Sequence, residues 1–241
     1  MRPELLLLHA LPLDGSMWAA QLNLLPGATY APTLYGFGDC VQDWAAEALK
    51  LPMGNKLIVV GCSVGGSCAL EVAALAPDRV AGLIIIGTKA ARRVDSRVNL
   101  TYADDLQRMG LKAAWAEWWK PAFSPSTSPE IIAEAEGILM RQPLEDVVRG
   151  VRAFHSRQSR GDVLSTFRGP VHVVTGDADV LPGTTTSVNQ AASAYNGYLH
   201  VIPDCGHYVP MERPAALNSI IKHLIDQLTP SGWSRGNNGI D

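Results

Sequence analysis

A short glycine-rich sequence places a serine where it can act as a nucleophile. Ser63 lies between Gly61 and Gly65 in a G-x-S-x-G pattern, after an apolar run and before a stretch with helical spacing. Glycines at these two positions remove the Cβ atoms that would clash in a sharp turn from strand to helix. We therefore predict that Ser63 is a catalytic nucleophile. The alternative is an ordinary glycine-rich turn.

Two neighbours of Ser63 also bear on this chemistry. Cys62 competes as nucleophile because a thiolate is intrinsically reactive, but it does not occupy the position that the two glycines flank symmetrically. Val64 begins the predicted helix, and its backbone N–H is expected to donate a hydrogen bond to the oxyanion that forms during acyl transfer. Ser63 is thus predicted to attack the substrate carbonyl, and the Val64 N–H is predicted to stabilise the oxyanion.

A serine hydroxyl needs a histidine to accept its proton and a carboxylate to orient that imidazole. His207 is the predicted base because it lies in a loop after a glycine, where functional residues concentrate. By contrast, His172 and His200 lie inside predicted strands. The acid is Asp177 or Asp179, which both follow a predicted strand. The chain order serine, aspartate, histidine is one of the known orders of such a triad.

The elements that must position these residues alternate along the chain. Apolar runs bounded by Gly, Pro or Asp predict strands that are buried on both faces of a parallel sheet. Amphipathic stretches between them predict helices. The alternation favours an α/β protein with a mostly parallel, doubly wound sheet and flanking helices. The predicted strands cover residues 5–9, 57–61, 80–87, 171–176 and 198–202, and the predicted helices cover residues 16–25, 41–51, 64–75 and 215–228.

This alternation stops in the middle of the chain. We predict a helical cap over residues 89–168, inserted into a core that consists of residues 1–88 and 169–228. Residues 229–241 are rich in Gly, Ser, Asn and Pro, and they predict a flexible tail. The helices predicted within the cap cover residues 100–109, 111–119, 129–140 and 144–156.

The cap contains the candidate substrate contacts. Trp115 and Trp119 either contact the substrate or pack in the core of the cap itself. Arg97 and His155 are candidates for holding a substrate carboxylate, because cationic groups bind carboxylates well. The alternative for these two residues is a solvated helical face. The sequence alone leaves both choices open.

Composition limits the class of protein. A chain of 241 residues with 47% hydrophobic residues can bury one sizeable core. A net charge of −3 predicts no nucleic-acid partner, and no basic run predicts binding to a membrane. The four cysteines form no C-x-x-C pair, which favours a reduced, cytoplasmic protein without a metal site. Cys62 and Cys205 are interpreted as buried hydrophobes, with a redox role as the alternative. No feature specifies an oligomeric state.

Five ordered segments between residues 5 and 228 resemble the α/β-hydrolase superfamily, especially its branch of 3-oxoadipate enol-lactonases, MenH-like proteins and carboxylesterases. The resemblance selects Asp179 over Asp177 as the acid, and it implies that the Leu11 N–H donates to the oxyanion beside that of Val64. Family members usually have His-Gly where this chain has His-Ala. The segments are His9-Ala10 before Trp18, residues 31–39, residues 61–66, residues 176–179, and Gly206-His207 with Glu212-Arg213-Pro214.

The resemblance implies an activity. It is that of a serine hydrolase that cleaves a small carboxylic ester or lactone through an acyl-enzyme intermediate, with no cofactor. A C–C bond hydrolase or a MenH-like lyase would use the same triad, so both stay open as alternatives. A ligand-binding receptor on a hydrolase scaffold is an alternative from a different class.

Overall fold

The structure of the protein is a computed structural model that describes residues 2–91 and 96–229, and the side chains of these residues except 96–100. Six strands form one parallel sheet, which confirms the predicted fold class and adds one strand to the five predicted. The strands are β1 (Glu4–Leu8), β2 (Thr29–Tyr30), β3 (Leu57–Cys62), β4 (Val80–Ile86), β5 (Val171–Gly176) and β6 (Gly197–Ile202). Their order across the sheet is β2-β1-β3-β4-β5-β6, and every neighbouring pair is parallel.

Helices connect and cover these strands. No helix in the described ranges is long and apolar enough to cross a membrane. The helices are α1 (Val41–Ala48), α2 (Val64–Leu75), α3 (Ser96–Ala114), α4 (Pro129–Met140), α5 (Leu144–Ser156), α6 (Gly161–Thr166), α7 (Gly183–Ser193), α8 (Val209–Glu212) and α9 (Pro214–Leu228). Shorter 3₁₀ turns cover Gly15–Trp18, Leu22–Leu24, Leu34–Phe37 and Lys120–Ala122, and a π-helical turn covers Trp115–Trp119.

The central strands lie in a core that is closed on both faces. All six residues of β3 are buried, as are the four leucines of β1. Helix α2 packs on β1, β3 and β4. From α9, Leu224 packs directly on the backbone of Gly82 in β4, where a Cβ atom would lie 3.0 Å from a leucine methyl carbon. Burial on both sides explains why these strands read as continuous apolar runs.

The helix predicted over residues 16–25 is wrong. This segment forms two short 3₁₀ turns, Gly15–Trp18 and Leu22–Leu24, instead of one continuous helix. Trp18 is fully buried in the core. Gln21 reaches α9, where its Nε2 donates to Oδ1 of Asn218 at 2.9 Å. The apolar spacing of this segment thus reflects its contacts with the core and with α9, and not the period of a helix.

Helix α7 and strand β2 have no counterpart among the predicted elements. Three consecutive threonines open α7 after its first residue, and threonine is a poor helix former. The helix is held instead by tertiary bonds of Gln190, whose amide donates to the carbonyl of Thr88 at 2.8 Å and accepts from the N–H of Ala90 at 2.7 Å. Strand β2 has two residues, too few to produce an alternating pattern.

Between β4 and β5, every regular element that the structure describes is a helix or a helical turn. The four helices predicted there are present, although the first lies within α3 and the second continues from α3 into the π-helical turn at Trp115–Trp119. Gly110 interrupts α3 with φ 77° and ψ 167°, between the two predicted helices. Residues 92–95 and 230–241 lie outside the described ranges, so the predicted tail stays a prediction beyond Thr229.

Candidate active site

The residues that the sequence singles out for chemistry follow three parallel strands of the sheet, two of which are neighbours. Ser63 comes directly after β3, Asp179 follows β5, and His207 follows β6. Parallel strands have their carboxyl ends at the same edge of a sheet, where α/β proteins form their binding crevices. The fold therefore brings these side chains to one edge.

Ser63 occupies a strained turn between β3 and α2. Its backbone has φ 55° and ψ −117°, a conformation that costs a non-glycine residue about 1–3 kcal/mol. The turn is tightly packed, since a Cβ atom at Gly61 would lie 2.1 Å from the carbonyl oxygen of Gly65. A Cβ atom at Gly65 would in turn lie 2.1 Å from the carbonyl oxygen of Leu8. These close approaches explain why both positions need glycine.

His207 and Asp179 form a buried pair. Nδ1 of His207 lies 2.9 Å from Oδ2 of Asp179, and both side chains are almost fully inaccessible. With Nδ1–H donating to the carboxylate, Nε2 carries the lone pair. This Nε2 is buried and has no hydrogen-bond partner among residues 2–91 and 96–229. The pair therefore presents an unused proton acceptor.

The end of β4 joins the serine turn to this pair. The carbonyl oxygen of Ile86 accepts the Ser63 N–H at 2.7 Å. The next residue, Gly87, has φ 54°, and a Cβ atom there would lie 2.8 Å from Nδ1 of His207 and 3.0 Å from Oδ2 of Asp179. Gly87 is a residue that sequence reasoning missed, although its position at the end of a predicted strand was a signal.

Replacing Gly87 with alanine is expected to lower kcat about 10²-fold for any reaction in which His207 acts as the base, because the new methyl group displaces the imidazole from its carboxylate. Gly27→Ala is the matched control. Gly27 has φ 74°, but nothing lies within 4 Å of its Cβ position. Both variants are expected to lose stability in urea unfolding, whereas only the first loses kcat. Equal kcat values for the two variants would contradict the assigned contact.

The structure separates the two candidate acids. Asp179 contacts His207, and its other carboxylate oxygen accepts the Leu181 N–H at 2.9 Å. Asp177 is exposed and accepts the Cys205 N–H at 3.2 Å. That backbone hydrogen bond lowers the pKa of Asp177 below its usual value. Asp177 thus stabilises the turn before His207, and Asp179 is the carboxylate placed against the imidazole.

A buried carboxylate holds the loop around His207. Glu212 accepts the N–H of Gly206 at 2.9 Å and the N–H of Tyr208 at 2.8 Å, which are the residues on either side of His207. It also accepts the N–H of Ser124 at 2.9 Å, from the segment between β4 and β5. Glu212 belongs to one of the sequence segments that resemble the family, but the sequence does not reveal its hydrogen bonds to both neighbours of His207.

The two predicted oxyanion donors lie on adjacent segments. Val64 is the first residue of α2, and Leu11 lies in the loop after β1. The serine turn abuts this loop, because a Cβ atom at Gly65 would lie 2.6 Å from the carbonyl oxygen of His9. Neither the Leu11 nor the Val64 N–H donates a hydrogen bond to a backbone carbonyl elsewhere in the described part of the chain. Both amides therefore remain candidates for the donor role that the sequence predicts.

His9 supports the loop that carries Leu11. Its Nε2 accepts the Leu34 N–H at 2.8 Å, so its Nδ1 carries the proton and donates to the carbonyl of Ala10 at 3.1 Å. The ring is fully buried, and this burial lowers the pKa of His9 from 6.5 to about 4. His9 is therefore neutral in the folded protein across the range in which an ordinary histidine becomes charged.

The lowered pKa of His9 predicts acid sensitivity. As the pH falls from 6.5 to about 4, the unfolded chain binds a proton at His9 that the folded chain does not bind. This stabilisation is complete above pH 6.5 and is lost toward pH 4, by as much as about 3 kcal/mol. In urea unfolding, His9→Gln is expected to lose less stability than wild type over this range. Parallel pH profiles for the two proteins would exclude this effect.

The cysteines beside the site are buried and protonated. Burial raises the pKa of Cys62 well above its usual value, and the nearby Asp179 raises it further. Burial likewise raises the pKa of Cys205. Because the thiolate is the reactive form, these environments favour the interpretation of both residues as buried hydrophobes.

Helices between β4 and β5 contact the loops of the site. The His207 N–H donates to the carbonyl of Ala122 at 2.8 Å. From α5, Gly150 packs closely on Leu11 and on the ring of Tyr35, where a Cβ atom would lie 2.9 Å and 2.6 Å from side-chain carbons. The segment thus lies over the loop that carries His207 and the loop after β1.

The predicted substrate contacts fall in two places. Trp115 is buried and packs against Phe123, whose ring lies 4.6 Å from that of Tyr208, next to His207. The indole N–H of Trp115 has no hydrogen-bond partner among the described residues. Trp119 is also buried and packs against Trp118. These contacts place Trp115 in a chain of rings that leads through Phe123 to Tyr208, in the loop that carries His207.

His155 packs elsewhere. Its ring stacks on Tyr102 with 5.0 Å between centroids and also contacts Phe154. Tyr102 lines a cavity of about 710 Å³ with Trp118 and residues of α3, and no residue of the serine, histidine and aspartate set lines this cavity. The side chain of Arg97 lies outside the described part of the structure.

A parallel α/β sheet with a strained serine turn and a histidine–aspartate pair at its carboxyl edge defines the class of α/β-hydrolases. A sequence model described as "Alpha/beta hydrolase family" matches residues 5–220, and the chain belongs to this family. The superfamily resemblance found in the sequence is thereby confirmed.

Individual relatives are distant but nearly full-length. The chain is 25% identical to Lipase LipV of Mycobacterium tuberculosis, over 91% of this chain and 92% of that protein. It superposes on a thermophilic esterase from Thermogutta terrifontis with a TM-score of 0.83 and 26% identity, covering 94% of this chain and 90% of the other. An enol-lactonase from Burkholderia xenovorans shares the fold with a TM-score of 0.79 at 18% identity, covering 94% and 92% of the two chains.

Proposed function

We propose that this protein is a serine hydrolase that cleaves a small carboxylic ester or lactone through an acyl-enzyme on Ser63. The observation that carries the proposal is the buried pair of His207 and Asp179, whose imidazole has an unused acceptor nitrogen. Ser63 supports it through its strained turn, which is joined to the pair by the end of β4. The lipase and esterase relatives support the ester as the substrate class.

In the proposed mechanism, Oγ of Ser63 attacks the carbonyl carbon while Nε2 of His207 takes its proton. The Leu11 and Val64 amides stabilise the oxyanion. As this intermediate collapses, His207 returns the proton to the departing alcohol oxygen. His207 then takes a proton from water, which attacks the acyl-enzyme, and the acid is released as Ser63 is protonated again. No step requires a metal or cofactor.

We also propose that residues 89–168 form a cap over this site, on a core of residues 1–88 and 169–228. The contacts of Ala122 with His207 and of Gly150 with Leu11 support this division. Trp115 is the strongest of the predicted substrate contacts, because its ring chain leads to the base loop and its N–H is unused. The four unpaired cysteines support a cytoplasmic location.

The function is tested with p-nitrophenyl acetate, butyrate and octanoate and with γ- and δ-lactones. Wild-type protein is expected to hydrolyse at least one of these compounds. A fluorophosphonate, which labels activated serines covalently, is expected to modify the peptide that contains Ser63, as read by mass spectrometry. Absence of hydrolysis together with absence of labelling at Ser63 would refute the proposal.

A further inference from the structure

The hydroxyl of Tyr208 connects two loops that are far apart in sequence. Its oxygen donates to the carbonyl oxygen of Leu11 at 3.1 Å. Tyr208 follows His207 directly in the chain, and Leu11 lies in the loop after β1. One side chain thus joins the loop of the proposed base to the loop of a proposed oxyanion donor.

The conformation of Leu11 is set by the two carbonyls on either side of its Cα atom. The carbonyl of Ala10 accepts the Leu13 N–H at 2.9 Å and Nδ1–H of His9 at 3.1 Å. Because a peptide unit is planar, these two bonds also orient the Leu11 N–H. The carbonyl of Leu11 itself is held by Tyr208. With both carbonyls held, the two soft dihedrals of Leu11 have little freedom.

Tyr208 is itself firmly placed. Its ring is fully buried, packs on Phe123 at 4.6 Å and lies edge-on to His207 at 5.3 Å. Its backbone N–H is held by Glu212. Burial raises the pKa of the Tyr208 hydroxyl well above its usual value, so that the group remains a donor. A rigid, protonated phenol can therefore hold the Leu11 loop at a constant distance from the base loop.

We propose that Tyr208 is a positioning residue of this site, whose hydroxyl fixes the Leu11 N–H relative to His207 for oxyanion stabilisation. The proposal rests on the proposed function. Tyr208 makes no contact with substrate in this role and acts through Leu11. The sequence gives no sign of it, because the hydrogen bond joins residues 197 positions apart.

The test compares wild type with Tyr208→Phe on p-nitrophenyl butyrate. We expect kcat to fall about 10- to 100-fold and KM to change less than about twofold, because a displaced oxyanion donor weakens binding of the transition state alone. The midpoint of the pH–rate profile should not move, since the His207 and Asp179 pair is unaltered. The value of kcat is calculated from the concentration of active sites that the fluorophosphonate titrates, so that misfolded protein does not lower it.

The matched control is Tyr35→Phe. The Tyr35 hydroxyl donates to the carbonyl of Leu13 at 2.8 Å, in the same loop but beyond the proposed donor. Its loss is expected to leave kcat within about threefold of wild type. The inference is overturned if Tyr208→Phe retains wild-type kcat, if Tyr35→Phe loses as much, or if the pH midpoint shifts. Failure of the proposed function can be told apart from these three outcomes, because wild-type protein itself would then show neither turnover nor labelling.

Discussion

Replacing Ser63 with alanine is expected to lower kcat for p-nitrophenyl ester hydrolysis about 10⁴-fold or more, because no acyl-enzyme can form. The alanine keeps the backbone turn and removes only the hydroxyl that is proposed to attack the carbonyl. Substrate binding and the Leu11 and Val64 amides remain, so a small residual rate above that of water is expected. The measurement is initial rate against substrate concentration, with stability checked by urea unfolding.

Ser67→Ala is the control for this change. Ser67 lies one turn further along α2, is buried, and its hydroxyl has no hydrogen-bond partner in the described ranges. The same substitution there is expected to leave kcat near the wild-type value. If Ser63→Ala kept more than about one hundredth of wild-type kcat, attack by Ser63 would be excluded.

Replacing Asp179 with asparagine is expected to lower kcat about 10⁴-fold, with little change in the overall fold. The asparagine amide would donate to Nδ1 of His207 at the contact that is now 2.9 Å. The ring proton would then reside on Nε2, which could no longer accept a proton from Ser63. The loss should therefore appear in kcat, measured on the same esters from pH 5 to 9.

Asp177→Asn is the matched control, two positions away. The Asp177 carboxylate is exposed and accepts a backbone N–H from Cys205, so its replacement is expected to change kcat by less than about fivefold. A larger loss in Asp177→Asn than in Asp179→Asn would reverse the assignment of the acid. The comparison decides between two residues that chain order alone did not separate.

Much of the fold could be predicted because its information is local. Strands β1, β3, β4 and β5 are buried on both faces, so they read as unbroken apolar runs. Where packing overrides local preference, prediction failed. Helix α7 forms in spite of its threonines because Gln190 bonds to Thr88 and Ala90. The segment at residues 16–25 has helical spacing, but it forms two short 3₁₀ turns, with Trp18 in the core and Gln21 bonded to Asn218 of α9.

The residues of the candidate site were likewise predictable only where their signal lies in a short stretch of sequence. Ser63 could be found because its turn needs glycines at fixed spacing in one short stretch of chain. His207 and the two aspartates were found as loop residues after strands. Gly87 was missed, because the need for glycine there comes from His207 and Asp179, which are distant in sequence.

The sequence by itself determined the fold class, the family resemblance and the candidate nucleophile, since periodicity and glycine spacing are properties of neighbouring residues. Only the tertiary structure showed that Asp179, which the family resemblance selects over Asp177, contacts the imidazole of His207, that Glu212 holds both neighbours of His207, and that Tyr208 holds the Leu11 loop. The physical reason is that the hydrogen bonds of Asp179 and Tyr208, and that of Glu212 with Ser124, join segments that are distant in sequence. Such hydrogen bonds exist only after the strands have paired in order.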